Sequence, residues 1–192
     1  INGKTAGHVV LNIPGQHGVT NSLAAAAAAV CAGIDEKYII QGLNAFTGVD
    51  RRFQIKGNIG GVTVIDDYAH HPDEINATLD AALKYPHKKL WVVFQPHTYS
   101  RTEALMDDFA EALSRSDAVV LAEIYAAREK NEHGISSNDL KKLIEERGCE
   151  SYYFPTFDAI ETFLLENCES GDVLITMGAG DVVNIGDKLL GR

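Results

Sequence analysis

Leu90-Trp91-Val92-Val93-Phe94, running directly into Gln95-Pro96-His97-Thr98-Tyr99-Ser100-Arg101-Thr102, is the stretch on which the fold reading turns. Five consecutive apolar residues predict a strand buried on both faces, the pattern of a parallel sheet covered by helices. The loop that follows is dense in imidazole, hydroxyl and guanidinium groups. The same pattern recurs on both sides. Upstream, Val62-Thr63-Val64-Ile65 predicts a strand, and residues 73–83 a helix with Ile75, Leu79, Ala82 and Leu83 on one face. Downstream, Leu105, Phe109, Ala112 and Leu113 mark a helix and residues 118–121 a strand. Leu140, Leu143 and Ile144 mark a helix capped by Ser137 or Asn138 and stopped at Gly148. Residues 152–154 predict a short strand, and Ile160, Phe163 and Leu164 a helix. Residues 173–176 predict a strand and residues 182–190 a last helix. This alternation predicts an α/β fold: a doubly wound, mostly parallel sheet with helices on both faces.

The first fifty residues read differently. Val9 to Ile13 is a β-prone run ended by Pro14-Gly15. Residues 21–31 are alanine-rich, a strong helix-forming composition, with Gly33 as the stop. Asp35 caps a second helix carrying Ile39, Ile40, Leu43 and Phe46. One strand and two helices are too little to bury a core of their own. We therefore expect residues 1–50 to be the end of a preceding domain and residues 51–192 a domain in themselves. Ile1 in place of Met supports reading the chain as a piece of a longer protein.

The chain has 192 residues, 45% hydrophobic and 23% charged, the proportions of a soluble globular protein. Its formal charge of −10 argues against nucleic-acid binding, which needs a basic face, but leaves room for a local anion site. No apolar stretch reaches the roughly 18–20 residues of a membrane helix, and no signal peptide is legible, so a cytoplasmic protein without a membrane partner is expected. Cys31, Cys149 and Cys168 are odd in number and far apart, which favours reduced thiols over a disulfide framework or a zinc site.

In an open α/β sheet, ligands bind beyond the carboxyl ends of the strands, near the point where strand order reverses. Four loops qualify: residues 66–72, 95–102, 123–129 and 177–181. Asp66-Asp67-Tyr68-Ala69-His70-His71-Pro72 holds two acids and two imidazoles. It reads either as a ligand site, with metal binding as one form of it, or as an ordinary strand-to-helix loop with His71 at the cap and Pro72 in the first turn. His97 and Arg101, four apart, share one side if the loop turns helically, and Arg offers a bidentate fork to carboxylate or phosphate. The plainer reading is a helix start with a surface arginine.

Gly178-Ala179-Gly180 follows a strand and precedes a helix, as an anion-binding turn does. A purely structural turn has equal claim, because Val183 replaces the third glycine of the dinucleotide fingerprint. Arg51-Arg52 at the domain junction is either a phosphate contact or a solvated charge pair. His17-Gly18-Val19-Thr20-Asn21 reads mainly as a polar helix start. No GxxxxGK[ST] phosphate loop occurs in the chain.

Taken together, Pro14-Gly15-Gln16-His17 through Asn21, Arg51-Arg52-Phe53 and Asp66 to Pro72 resemble the Mur ligases of bacterial cell-wall synthesis. Residues 94–102 and 177–181 point to the branch that joins L-alanine to UDP-N-acetylmuramate. The resemblance covers essentially the whole chain. It implies a Rossmann-like C-terminal ligase domain at 51–192, preceded by an α-rich remnant of the central ATP-binding domain at 1–50. It further implies ATP and Mg2+ as cofactors, with the phosphate loop and metal ligands outside this chain and no metal site within it. The reaction implied is ATP-dependent amide formation through an acyl phosphate, and a piece lacking the phosphate loop is expected to be inactive alone.

Residue by residue, the resemblance implies that His17 and Asn21 contact adenine and ribose, and that Arg52 reaches the ATP phosphates. Asp67 would hold the ribose and couple closure to ATP. Tyr68 and His70 would border the alanine and acyl-phosphate site, and His97 and Arg101 would meet the muramate substrate or the alanine carboxylate. Arg52, Asp67 and His70 are the implied catalytic set. One departure is Gly18, where the family has Asn after the histidine. The competing readings are the related ligase that recycles murein tripeptide, a non-catalytic nucleotide-binding α/β module, and an Asp/His metal hydrolase.

Overall fold

The computed structural model describes residues 3, 5–13 and 15–192, except for the side chain of His17. The chain divides into two compact units, Ile1–Asp50 and Arg51–Arg192.

The first unit contains α1 (Gln16–Cys31) and α2 (Glu36–Ala45), which pack on one another. Asp35 caps α2 by accepting the Lys37 N–H, as the sequence predicts. The strand expected over residues 9–13 does not form. Among the described residues of this unit there is no second strand for it to pair with. Its polar groups go to α2 instead: the Val10 N–H donates to Asn44 Oδ1 at 2.8 Å, and the Asn12 amide donates to the Asn44 carbonyl at 2.8 Å. No residue of α2 is buried.

The second unit begins with a strand the sequence reading missed, β1 (Gln54–Ile59). Interior glycine and alternating polar residues hide it, and it pairs antiparallel with β2 (Val62–Asp67) as an edge hairpin. The chain then runs through α3 (Pro72–Ala82), β3 (Leu90–Phe94), α4 (Tyr99–Ala104), α5 (Met106–Leu113) and β4 (Ala118–Leu121). It continues through α6 (Ser137–Glu146), β5 (Glu150–Tyr153), α7 (Phe157–Asn167), β6 (Val173–Met177) and α8 (Val183–Leu189). The helix expected around Leu105 is really two. It breaks at Leu105 (φ −118°, ψ 20°), which leaves a separate six-residue helix after β3. The cap of α6 is Ser136, not Ser137 or Asn138: the Ser136 N–H donates to Asp139 Oδ2 at 3.0 Å, one half of a capping box.

The sheet order is β1-β2-β6-β3-β4-β5, parallel throughout except at β1. The chain moves outward from β3 to β5 and returns to place β6 between β2 and β3. Strand side chains alternate between two cores. Ile65, Val92, Phe94, Val119, Leu121 and Ile175 face α3, α5 and α6, packing on Ile75, Leu79, Phe109, Leu113, Leu140 and Ile144. Val64, Trp91, Val93, Val120 and Leu174 face α7 and α8, meeting Ile160, Leu164, Ile185 and Leu189. This is the doubly wound arrangement the apolar strands predict.

Phe109 is fully buried, its ring 5.4 Å from that of Phe94. Truncating it removes packing between the sheet and α5, so Phe109→Ala is expected to cost about 3–5 kcal/mol in a urea unfolding experiment. A loss below about 1 kcal/mol would show that this core is not close-packed.

Candidate active site

Because β6 lies between β2 and β3, the carboxyl ends of these three strands flank the switch point, and their loops meet. The first tie is Arg51. Its Nε donates to Asp66 Oδ2 at 2.9 Å, and its two terminal nitrogens donate to the carbonyls of Gly180 at 3.2 Å and Gly178 at 2.6 Å. Asp66 is fully buried and also accepts the Thr176 hydroxyl at 2.7 Å. Arg51 is therefore neither a phosphate contact nor a solvated charge; it is a clamp across the ends of β2 and β6.

The second tie is Gln95, whose amide donates to Asp181 Oδ1 at 2.9 Å and whose carbonyl oxygen accepts the Val182 N–H at 3.2 Å. With the Gly178 N–H donating to the Asp67 carbonyl, the 178–182 turn spends these donors internally and acts as a structural turn. A Cβ at Gly180 would come within 2.3 Å of Gln95 Oε1, so a side chain there would displace the Gln95 amide from its bonds to Asp181 and Val182.

Asp67 is 4% exposed. Its oxygens accept the Phe53 and Ala69 N–H groups, each at 2.8 Å, with Thr78 also hydrogen-bonded to it. Burial pushes its carboxyl above the usual value, and these bonds and the nearby Arg52 charge work against that. The carboxylate thus ties the Arg51–Phe53 segment to the end of β2. His71 behaves as the plain loop reading expects: it caps α3 by accepting the Asp73 N–H, and Pro72 opens the helix. Arg52 differs from its neighbour. Its side chain is 53% exposed, 4.0 Å from Glu74 and 6.0 Å from the Tyr68 ring.

Tyr68, His70 and His97 converge. The Tyr68 and His70 ring centroids are 5.3 Å apart, and those of His70 and His97 6.0 Å apart. His70 Nδ1 lies 2.9 Å from the Tyr68 carbonyl. His97 stacks on Tyr125, from the loop after β4, at 5.5 Å and 22°. Arg101 projects from α4 close enough to act on His97 by charge. Burial, followed by the positive charges of Arg101 and His70, holds the His97 imidazole below its ordinary value, while Glu129 opposes them.

Two atoms at this rim are unspent. His97 Nδ1 and Arg101 Nη1 are buried without a hydrogen-bond partner among the described residues. Buried polar groups in native proteins are nearly always satisfied, so these two nitrogens call for a partner that the described residues do not supply. The second unit thus brings Arg52, Asp67, Tyr68, His70, His97 and Arg101 to one end of the sheet. Asn21 is exposed on α1 of the first unit, and the side chain of His17 lies outside the described residues. Sequence reasoning named Arg51 without seeing its clamp, and named the 123–129 loop without assigning Tyr125 or Glu129.

Among the described residues, no three His, Cys, Asp or Glu side chains are grouped to hold a metal ion, and no helix is long and apolar enough to cross a membrane. An apolar hollow of about 130 Å³, lined by Ile59, Val62, Leu164, Cys168 and Leu189, lies toward the opposite ends of the strands. Burial pushes the Cys168 thiol to about 12, leaving it unreactive.

Two measurements probe this site. Arg51→Met removes the partner of a buried carboxylate and is expected to destabilise the fold by about 3 kcal/mol, the low end for buried pairs because the Arg51 side chain is 23% exposed. A change within about 0.5 kcal/mol would remove the clamp from the account. NMR titration of His97 is expected to give a midpoint below 6.5. The unfolded chain then takes the proton first, so stability falls as pH drops from about 6.5 toward the native midpoint. A midpoint above 6.5 would contradict the buried, cationic surroundings.

Comparison with known proteins agrees with this geometry. The family model described as "Mur ligase, glutamate ligase domain" matches residues 51–180. The UDP-N-acetylmuramate–L-alanine ligase of Agathobacter rectalis is 60% identical over 182 residues, covering 95% of this chain and 40% of that protein. That of Lachnospira eligens is 57% identical over 190 residues, covering 99% and 41%. The chain thus spans about two fifths of the length of these curated relatives. Among solved structures, the UDP-N-acetylmuramate-alanine ligase of Thermotoga maritima superposes with a TM-score of 0.82 at 31% identity, covering 100% of this chain and 41% of that one. A murein peptide ligase from Psychrobacter arcticus gives 0.69 at 27% identity, covering 95% and 38%. With a family model spanning most of the chain and laid over the domain that carries the converging side chains, the protein belongs to the Mur ligase family.

Proposed function

We propose that this chain is the C-terminal part of an ATP-dependent ligase that joins L-alanine to the lactyl carboxylate of UDP-N-acetylmuramate, acting in the cytoplasm in peptidoglycan precursor synthesis. Residues 1–50 are read as the end of its central ATP-binding domain and residues 51–192 as its amino-acid-binding ligase domain. The observation that carries the proposal is the pair of unpartnered nitrogens, His97 Nδ1 and Arg101 Nη1, with Tyr68 and His70 at the same rim. Both main substrates present carboxylates that such a pair would hold. The relatives at up to 60% identity favour this substrate pair over the murein tripeptide alternative.

A carboxylate is a poor electrophile, and ATP supplies the phosphoryl group that turns one of its oxygens into a leaving group. The alanine amine then attacks the acyl carbon, the C–N bond forms, phosphate departs with the former carboxylate oxygen, and the amine gives up a proton. The residues of this chain serve by placing charge. Arg52, exposed and beside Tyr68, is free to reach phosphate oxygens. Arg101 and His97 hold a substrate carboxylate, and His70 and Tyr68 border the reacting groups. Asp67 acts through the Phe53 and Ala69 peptides that it ties down. Positioning and preorganised charge of this kind are the main sources of catalysis in such transfers. His17 and Asn21 are assigned to the nucleotide. The Mg2+ ligands and the grip on the phosphates are assigned to the part of the protein outside this chain.

The test is ADP release by the full-length protein, dependent on both UDP-N-acetylmuramate and L-alanine. Arg101→Ala is expected to raise the KM of a carboxylate-bearing substrate about 10- to 100-fold, the loss of one charge-assisted contact. Residues 1–192 alone are expected to show no turnover. Wild-type kinetics in the variant would remove Arg101 from the site, and turnover with a peptide in place of L-alanine would replace the substrate assignment.

A further inference from the structure

The helix that carries Arg101 is poorly equipped to hold itself. α4 has six residues, and its N-cap, Thr98, sits at φ 68°, ψ 146° with no side-chain bond to the first turn. Short helices without caps are unstable in isolation, because nucleation is costly and the first N–H groups are left open. The missing cap comes from a different loop. Glu129, after β4, accepts the Ser100 N–H at 2.8 Å on one carboxylate oxygen and the Ser100 hydroxyl at 2.6 Å on the other. The Tyr99 N–H and the Thr98 hydroxyl also bond to it, and together these donors hold its carboxyl below the usual range.

The same two loops are joined along their backbones. The Tyr125 N–H donates to the Pro96 carbonyl at 2.9 Å, and the Thr98 N–H donates to the Tyr125 carbonyl at 2.8 Å. His97 is held between them, stacked on Tyr125. The charged and titratable groups acting on His97 are Arg101, His70 and Glu129, and only Glu129 is negative. A carboxylate there caps the helix and opposes the Arg101 charge beside His97.

We propose that Glu129 is a positioning residue for the candidate site: it caps the helix bearing Arg101 and keeps Arg101 and His97 aimed at an anionic substrate group. This rests on the functional reading above, and the experiment separates the two. Glu129→Gln keeps the side-chain length and removes the charge. In the 192-residue chain, the variant's Ser100 amide is expected to exchange at least about tenfold faster, and His97 to titrate lower than in the wild type. If both stay at wild-type values, the cap is not held by Glu129 and the proposal falls.

In the full-length protein, Glu129→Gln is expected to raise the KM of the same substrate that Arg101→Ala affects, by about tenfold, with a smaller fall in kcat. Combined with Arg101→Ala its effect on KM should be clearly smaller than in the wild type, since residues acting through one another are non-additive. If the two effects multiply, Glu129 acts independently of Arg101 and the positioning role is overturned. If the wild-type protein does not ligate L-alanine, the functional reading fails, and the amide exchange and His97 titration still decide the role of Glu129.

Discussion

The last strand in the chain, β6, makes its hydrogen bonds between two of the earliest, β2 and β3. Everything at the candidate site depends on that insertion. A parallel strand can enter there only by a crossover on the face opposite to the outward-moving helices, which is where α7 lies, away from α3, α5 and α6. The loops leaving β2, β3 and β6 are then adjacent, and residues separated by more than a hundred positions become neighbours. Arg51 and Gly180 are the clearest case.

Bringing polar loops together creates a crowd of donors and acceptors out of bulk water, and each one left open is costly. The chain answers with cross-loop bonds. Arg51 spends its fork on Asp66 and two carbonyls, Gln95 closes on Asp181 and Val182, Asp67 on Phe53 and Ala69, and Glu129 on Ser100. These groups are consumed in making the rim. Against that background the open nitrogens of His97 and Arg101 stand apart, because a fold that satisfies so many neighbours leaves them unsatisfied.

Much of this was legible in the chain. Fully apolar strands such as Leu90–Phe94 are buried on both faces and announce themselves by composition. β1 was not legible, because an edge strand carrying Gly57 and polar residues has no burial pattern to betray it. The break at Leu105 was hidden too, since apolar spacing continues across it and only backbone geometry shows that α4 is separate. At the site, the loops dense in chemistry were found from their place after strands. The roles within them were not. Arg51 and Arg52 are identical in type and adjacent, yet one is a clamp and the other exposed, a difference set by side-chain direction. Glu129 was hidden for a related reason: its partner is 29 positions away and on another loop.

Backbone strain falls in the same place. Among the described residues, the non-glycine positions at positive φ are Arg51, Phe53, Thr98 and Ala127. All four lie on segments that border the crevice, and each such conformation costs about 1–3 kcal/mol unless its surroundings enforce it. The enforcing contacts can be named. Arg51 is fixed by its own clamp, Phe53 by the bond from its N–H to Asp67, and Thr98 by its bonds to Tyr125 and Glu129. Ala127 sits within the loop that supplies those last two partners. Strain and cross-loop bonds are thus two sides of one arrangement, in which loops are bent away from their relaxed shapes and held there by groups that have no other task. A rim built this way is held by tertiary bonds, because the short helix and irregular turns that compose it supply little of their own.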